Sequence, residues 1–336
     1  MLKRAVDAHI ASPYDRSVVL ERDASASRLH LVSTVLACRR YYLDGASKSE
    51  IAVELGISRF KVARLLDRAR RDGIVRIDID PLPELDLDLA DEVARKHRIR
   101  GAIVVRAING PEELRHAQLG RAAAAVLGDA LEASDVLGLS WGRTLHAMVE
   151  QLPRLPACSV VQLVGSVATT DLATNSLELV RRLAERATGP VFPLHVPLLV
   201  GSAEMADALR GDPMAAKSTG MFDSLTRAAV GIGAWVPGGS TIRAALTDAD
   251  ARAVEAAGGV ADLCSIVLDA DGRQVRAAGL PERCIAIRES QLRRVPDVIA
   301  IAGGADKVPA IQAALRSGLV HRLVTNEEAA RLLLDG

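Results

Sequence analysis

From about residue 99 onward, short apolar runs alternate with stretches of helical periodicity, and this alternation restricts the fold more than any other feature. The runs are GAIVVRA (101–107), DVLGLS (135–140), SVVQLVGSV (159–167), RAAVGIGAW (227–235), SIVLD (265–269), VIAIAGG (298–304) and LVHRLVTN (319–326). Helical stretches fall over 111–128, from about 143, over 174–187 and over 307–317. Continuous apolar runs of four to eight residues suit strands buried on both faces. Strands interleaved with helices predict βαβ crossovers and a parallel sheet covered on both sides. The chain has 336 residues, enough for about two domains.

The first 80 residues follow a different pattern. Residues 28–44 predict a helix, with Leu29, Val32, Val35, Leu36 and Leu43 at helical spacing and Gly45 ending it. Ser47 with Glu50 three residues on is a capping box for a second helix, which stops at Gly56. Ser58 caps a third helix running to about Asp72. Gly73 ends that helix, and IVRIDID (74–80) reads as a strand. Residues 48–67, KSEIAVELGISRFKVARLLD, meet the demands of a helix-turn-helix. Ala52 is small where the helices cross, and Gly56 suits the turn. Ile51, Leu55, Ile57, Val62 and Leu65 supply the inner faces. Lys48, Ser58, Arg59, Phe60, Lys61 and Arg64 are then left to meet double-stranded operator DNA. Residues 58–76 carry seven Arg or Lys against two Asp. The expected organisation is an N-terminal arm (1–27), a winged helix-turn-helix (28–80), a linker (81–90, PLPELDLDLA) and an α/β domain (91–336). One such motif reads few base pairs, so a symmetric dimer on a palindromic site is expected.

Composition narrows the function. Lys plus Arg and Asp plus Glu are both 42, giving zero formal net charge. That zero is a sum of two parts: residues 1–80 hold 15 basic and 11 acidic side chains, and the remainder holds 27 and 31. Aromatics are only 2 %, which argues against ring-stacking readers of single strands and against an aromatic sugar cleft. The four cysteines have no metal-ligand spacing and suggest no disulfide framework. No metal or other cofactor is expected. No apolar run approaches a membrane span and no signal-peptide core is visible, so the expectation is a cytoplasmic protein with no membrane partner.

Ligands of open α/β sheets bind where strand ends feed into loops. GLSWGRTL (138–145) places Gly138 and Gly142 for close backbone approach, with Ser140, Arg143 and Thr144 beside a helix start suited to an anion. AGGADK (302–307) places Lys307 at another strand end, in a chain with 36 Arg and only six Lys. GIGAW (231–235) offers backbone amides, and Asp262 could accept sugar hydroxyls or serve as a surface charge or cap. Asn175 reads as a helix cap or a ligand contact, and His146 and His195 as packed or surface residues.

Taken in order, YYLDGASKSEIAVELGISRFKVARLLDRARRDGIVRIDI, LGLSWGRTL, VVQLVGSV with NSLELVRRLAER, VGIGAW and VIAIAGGADKVPAIQAALRSGLVHRLVTNEEAARLLL resemble the SorC family of DeoR-type sugar-binding transcriptional regulators. The resemblance covers roughly residues 28–334. It implies a winged helix-turn-helix followed by a Rossmann-like α/β effector domain with the fold of sugar-phosphate isomerases. It also implies a homodimer or homotetramer whose operator binding responds to a carbohydrate, especially a phosphorylated sugar or polyol. By this resemblance Ser140, Trp141, Gly142, Arg143, Thr144 and Lys307 hold phosphate, and Asp262 contacts sugar hydroxyls. Gly165, Asn175 and Gly231 complete the expected effector set. The alternatives are an isomerase-like enzyme with an appended DNA-binding domain, and a DNA-binding scaffold whose α/β domain only oligomerises.

Overall fold

The computed structural model describes residues 31–75, 85–106, 111–167 and 176–336. The chain divides into two compact units at residue 80.

The first unit contains α1 (residues 31–42), α2 (Lys48–Glu54) and α3 (Arg59–Arg71). Ser47 accepts from the Glu50 amide while Glu50 accepts from the Ser47 amide, so two orphan donors of α2 are satisfied reciprocally. Ser58 caps α3 by accepting from the Lys61 amide. Gly56 takes φ +62°, the left-handed turn between the two helices. Ile51, Val62, Leu65, Leu66 and Ala69 form the small core with Ala37 and Cys38. The apolar spacing that marks α1 is not the face it buries. Val32, Val35, Leu36 and Leu43 are 45–77 % exposed, and Thr34, Ala37 and Cys38 turn inward instead. Periodicity marks a helix, but here Ala37 and Cys38, with Tyr41 and Tyr42 packed beside them, join the core with α2 and α3. Leu29, the arm and residues 76–80 of the expected wing lie outside the described residues.

The second unit opens with α4 (Leu87–His97), β1 (Gly101–Val105) and α5 (Glu112–Ala130). There follow β2 (Val136–Leu139), α6 (Arg143–Gln151), β3 (Ser159–Gln162), α7 (Ser176–Arg186), β4 (Val191–Phe192), α8 (Ala203–Gly211) and α9 (Pro213–Thr219). Next come β5 (Arg227–Gly231), β6 (Gly233–Ala234), α10 (Thr241–Ala245), α11 (Asp248–Ala256), β7 (Ala261–Leu263) and β8 (Ile266–Leu268). The unit closes with α12 (Leu280–Arg283), α13 (Glu289–Leu292), β9 (Asp297–Ile301), α14 (Val308–Arg316), β10 (Arg322–Asn326) and α15 (Glu327–Asp335). Residues 85–90, expected as linker, belong to this unit: Asp86 caps α4, its amide donates to Val104, and Leu89 and Ala90 are buried.

Among the described residues, the main sheet has seven strands in the order β1-β10-β9-β5-β2-β3-β4, every pairing parallel. Alternate residues of its strands feed separate cores. Val298 and Ala300 of β9 join one cluster with Ile311 and Leu333, while Ile299 and Ile301 join another with Leu127 and Met148. Both faces are therefore covered, as the unbroken apolar runs require.

Three of the expected runs depart from single strands of one parallel sheet. RAAVGIGAW is not one strand: β5 ends at Gly231, and β6 starts a three-stranded antiparallel sheet, β6-β7-β8. SIVLD pairs there and not in the main sheet, because only Cys264 and Ser265 join β7 to β8, far too few for a parallel crossover. SVVQLVGSV is a strand only to Gln162, and beyond it Val164 and Ser166 make isolated bridges to Ala286 and Pro197.

The helices beside the sheet touch at a glycine. A Cβ on Gly120 of α5 would stand 2.6 Å from the carbonyl carbon of Ala147 and the amide nitrogen of Met148 on α6. Backbone cannot yield as a side-chain tip does. Gly120→Ala is expected to cost about 1–3 kcal/mol by overpacking, against a small gain in helix propensity. Urea unfolding measures this, and a variant as stable as the wild type would contradict the contact.

Candidate functional site

The sheet reverses direction between β2 and β5. After β2 the chain moves outward through β3 and β4; β5 then lies on the other side of β2, and β9 and β10 extend away from it. Such a switch point opens a crevice at the carboxyl ends of the strands. Here Ser140, directly after β2, accepts a hydrogen bond from the Gly231 amide at the end of β5, 3.2 Å away. A cavity of about 340 Å³ lies over this junction.

Three segments build one wall suited to an anion. Gly142, at φ +136°, starts α6 with no side-chain cap, leaving first-turn amides free to bind. Arg143 follows on the same turn, partly balanced by Glu112 of α5 at 3.5 Å. Lys307, from the loop after β9, donates to the Ile232 carbonyl at 3.3 Å. Its ammonium is held below the usual lysine range by burial and by the nearby Arg143 guanidinium. His116 of α5, also lining the cavity, is pushed down to about 4 by burial, then by Arg143, so it is neutral near pH 7.

The opposite wall comes from the small sheet. Asp262 of β7 pairs with Gly233 of β6. A Cβ on Gly233 would stand 2.2 Å from Asp262 Oδ1, so only glycine leaves room for that carboxylate. Among the described residues, Oδ1 is buried with no hydrogen-bond partner. Burial pushes the Asp262 carboxyl up to about 6, with Ser240 and Lys307 pulling the other way. Cys264 and Ser265 reach the cavity from the hairpin tip, where both take left-handed backbone, φ +51° and +69°, without being glycine. Burial and Asp262 push the Cys264 thiol up to about 12, which keeps it protonated.

Of the expected effector residues, Ser140, Trp141, Gly142, Arg143, Thr144, Gly231, Asp262 and Lys307 line this one cavity. Gly165 does not. Its amide donates to the Ile285 carbonyl, and an added Cβ would strike the Val196–Leu198 backbone at 2.7–2.8 Å, so it serves a close crossing of chains. Asn175 lies outside the described residues. The sequence reading missed His116, Ser240, Thr241 and Cys264, which also line the cavity. The glycine pair before Ser240 was the one available signal; nothing in the sequence brings α5 to this place.

In the first unit, Ser58, Arg59, Phe60, Lys61 and Arg64 are all exposed at the start and outer side of α3. Ser58 is committed to capping. Lys48 stands 5.6 Å from the Tyr41 ring centroid, a cation–π contact. Among the described residues no carboxylate lies within ion-pair distance of Arg59, Lys61 or Arg64. The first turn of α3 contains no acid. Cations there oppose the helix dipole, an arrangement that helix stability does not explain.

The geometry is that of a two-unit ligand-binding protein with a helical pair bearing uncompensated cations. Comparison with known proteins gives its family. The model of the family described as "Putative sugar-binding domain" matches residues 83–335. The "Uncharacterized transcriptional regulator YjhU" of Escherichia coli strain K12 is 30 % identical over 326 residues, covering 94 % of this chain and 98 % of that protein. The erythritol catabolism regulatory protein EryD of Brucella abortus is 30 % identical over 304 residues, 88 % of this chain and 93 % of that protein. The crystal structure of the full-length sorbitol operon regulator SorC of Klebsiella pneumoniae superposes with TM-score 0.74 at 28 % identity, covering 90 % of this chain and 97 % of that one. The chain belongs to the SorC family of sugar-binding transcriptional regulators.

The raised Asp262 carboxyl gives a pH signature. A folded-state value of about 6, above the ordinary carboxylate range, makes the folded protein hold this proton more tightly than the unfolded chain. The associated stability is full at pH 4 and below and is lost as pH rises through about 6, by up to roughly 3 kcal/mol. Asp262→Asn is expected to melt higher than the wild type above pH 7 and to match it near pH 4. Parallel melting curves across that range would refute the assignment.

Proposed function

We propose that this protein is a DNA-binding transcriptional regulator that acts as a homo-oligomer in the cytoplasm and is controlled by a carbohydrate, best matched by a phosphorylated sugar or polyol. One observation carries the effector reading. A single cavity has an uncapped helix start with Arg143 and Lys307 on one wall, and an unpartnered carboxylate oxygen of Asp262 on the other. An anion suits the first wall, since it would relieve the repulsion between Arg143 and Lys307. A hydroxyl suits the second, since it would satisfy Oδ1. A molecule with phosphate at one end and hydroxyls along its length meets both demands.

The operator reading rests on α2 and α3 as a helix-turn-helix, extended by a wing, with Arg59, Phe60, Lys61 and Arg64 facing duplex DNA and Lys48 beside them. Two copies on a palindromic site supply the specificity that one short helix lacks. Effector binding biases two arrangements of the paired DNA-binding units. A coupling of ~1–3 kcal/mol changes operator affinity ~5–150-fold. The names of the relatives, which are regulators of sorbitol and erythritol genes among others, support a receptor and not a sugar-phosphate isomerase. The likeness of the α/β unit to such isomerases is then one of fold, with binding kept and turnover absent.

Two variants separate the two activities. Arg64→Ala is expected to weaken duplex binding and to reduce the slope of log affinity against log salt by about 0.9 if one phosphate contact is lost. It should leave effector binding unchanged. Arg143→Ala should leave basal DNA binding intact and lose the response to effector. A thermal-shift screen against phosphorylated and free sugars and polyols finds the effector, which at 100 times its Kd should add ~2.7 kcal/mol of stability. Effector-independent DNA binding across that screen would favour a scaffold, and steady conversion of a sugar phosphate would favour an enzyme.

A further inference from the structure

Phe60 is 81 % exposed, in a chain with three Phe. Its position on α3 shows that this exposure is directed. Val62, Leu65, Leu66 and Ala69 are buried. At about 100° per residue, Phe60 lies roughly half a turn from the middle of that buried stripe. It therefore points almost straight away from the core of its unit. Arg64, one helical turn along, shares the same outer face.

Neither folding nor helix formation accounts for a phenylalanine here. It buries little surface, its helix propensity is below that of Lys, Arg or Ala, and the first turn it occupies favours acids. The same turn instead holds Arg59 and Lys61, with no acid and no ion pair among the described residues. The surroundings are matched to a polyanion, and the ring at their centre needs an apolar target on it. A duplex offers one such group on the base edges of the major groove, the thymine 5-methyl. We infer that Phe60 reads the 5-methyl group of a thymine in each half-site, between phosphates held by Arg59 and Lys61. The inference rests on the reading of α3 as the helix that enters the major groove.

The test uses the full-length protein and a duplex enriched by it from a random-sequence pool. Each thymine is replaced in turn by deoxyuridine, which removes the methyl and leaves base pairing intact. At one position per half-site, the replacement is expected to weaken binding about fourfold, the effect of one buried methyl. Phe60→Ala, which removes the ring from both half-sites, should weaken the parent duplex about as much as deoxyuridine placed in both half-sites together, and should bind the thymine and deoxyuridine versions equally. Phe60→Leu should keep part of the discrimination. Melting temperatures should be unchanged, since the side chain is outside the core. The inference is overturned if no deoxyuridine duplex binds more weakly than its parent, or if Phe60→Ala still discriminates. It is also overturned if Phe60→Ala weakens binding without any methyl dependence, the pattern of a ring wedged between bases. Failure to enrich any duplex overturns the DNA reading itself, and this inference with it.

Discussion

The divergence of the chain on either side of β2 and β5 is the constraint on which the site depends. Neighbouring parallel strands whose connections leave in opposite directions cannot have their carboxyl ends covered by a shared crossover. The Ser140–Gly231 hydrogen bond closes the base of the resulting gap. The α6 start and the Lys307 loop arrive from strands on its two sides. The passage from β5 to β6 then lifts the chain out of the main sheet, and pairing with β7 sets Asp262 over the gap.

The two ends of the sheet treat charge differently. At the amino ends, Arg227 bridges Asp135 and Asp297 at 3.1 and 2.9 Å, and Arg322 reaches Asp297 at 3.1 Å. Each of these four charges has an opposite partner. At the carboxyl ends, Lys307 and Arg143 disfavour one another, and one oxygen of Asp262 has no partner among the described residues. Groups left in that state cost stability, which an anion beside the cations and a hydroxyl beside the carboxylate would recover. The first turn of α3 shows the same pattern on a surface: cations where the helix dipole favours acids.

Much of this was legible in the residue order. The capping box Ser47–Glu50, the Ser58 cap and Gly56 are local devices, set by groups within four residues of one another. The β2–α6 and β9–α14 loops, with Arg143 and Lys307, follow from apolar runs ending in glycine-rich helix starts. The misreadings share a cause: each depended on a partner distant in sequence. Gly165 looks like a ligand-cradling glycine, yet its neighbours are Val196–Leu198 and Ile285. The apolar stripe of α1 looks like a buried face, yet Ala37 and Cys38 meet the core. His116 carries no local signal, because only the packing of α5 on α6 brings it to the cavity.

By itself, then, the sequence determined the class of fold, the capped helix pair α2–α3 with its glycine turn, and the glycine-rich helix starts after β2 and β9, since hydrophobic periodicity and capping act over a few residues. Only the tertiary structure decided which of those segments meet. The strand order, with β5 inserted between β2 and β9, is a non-local choice. The small antiparallel sheet, reached by a two-residue turn, is another. Together they convert Asp262 from an ordinary surface acid into a half-buried group whose inner oxygen has no partner among the described residues, because burial and pairing are properties of the assembled surroundings and not of the residue.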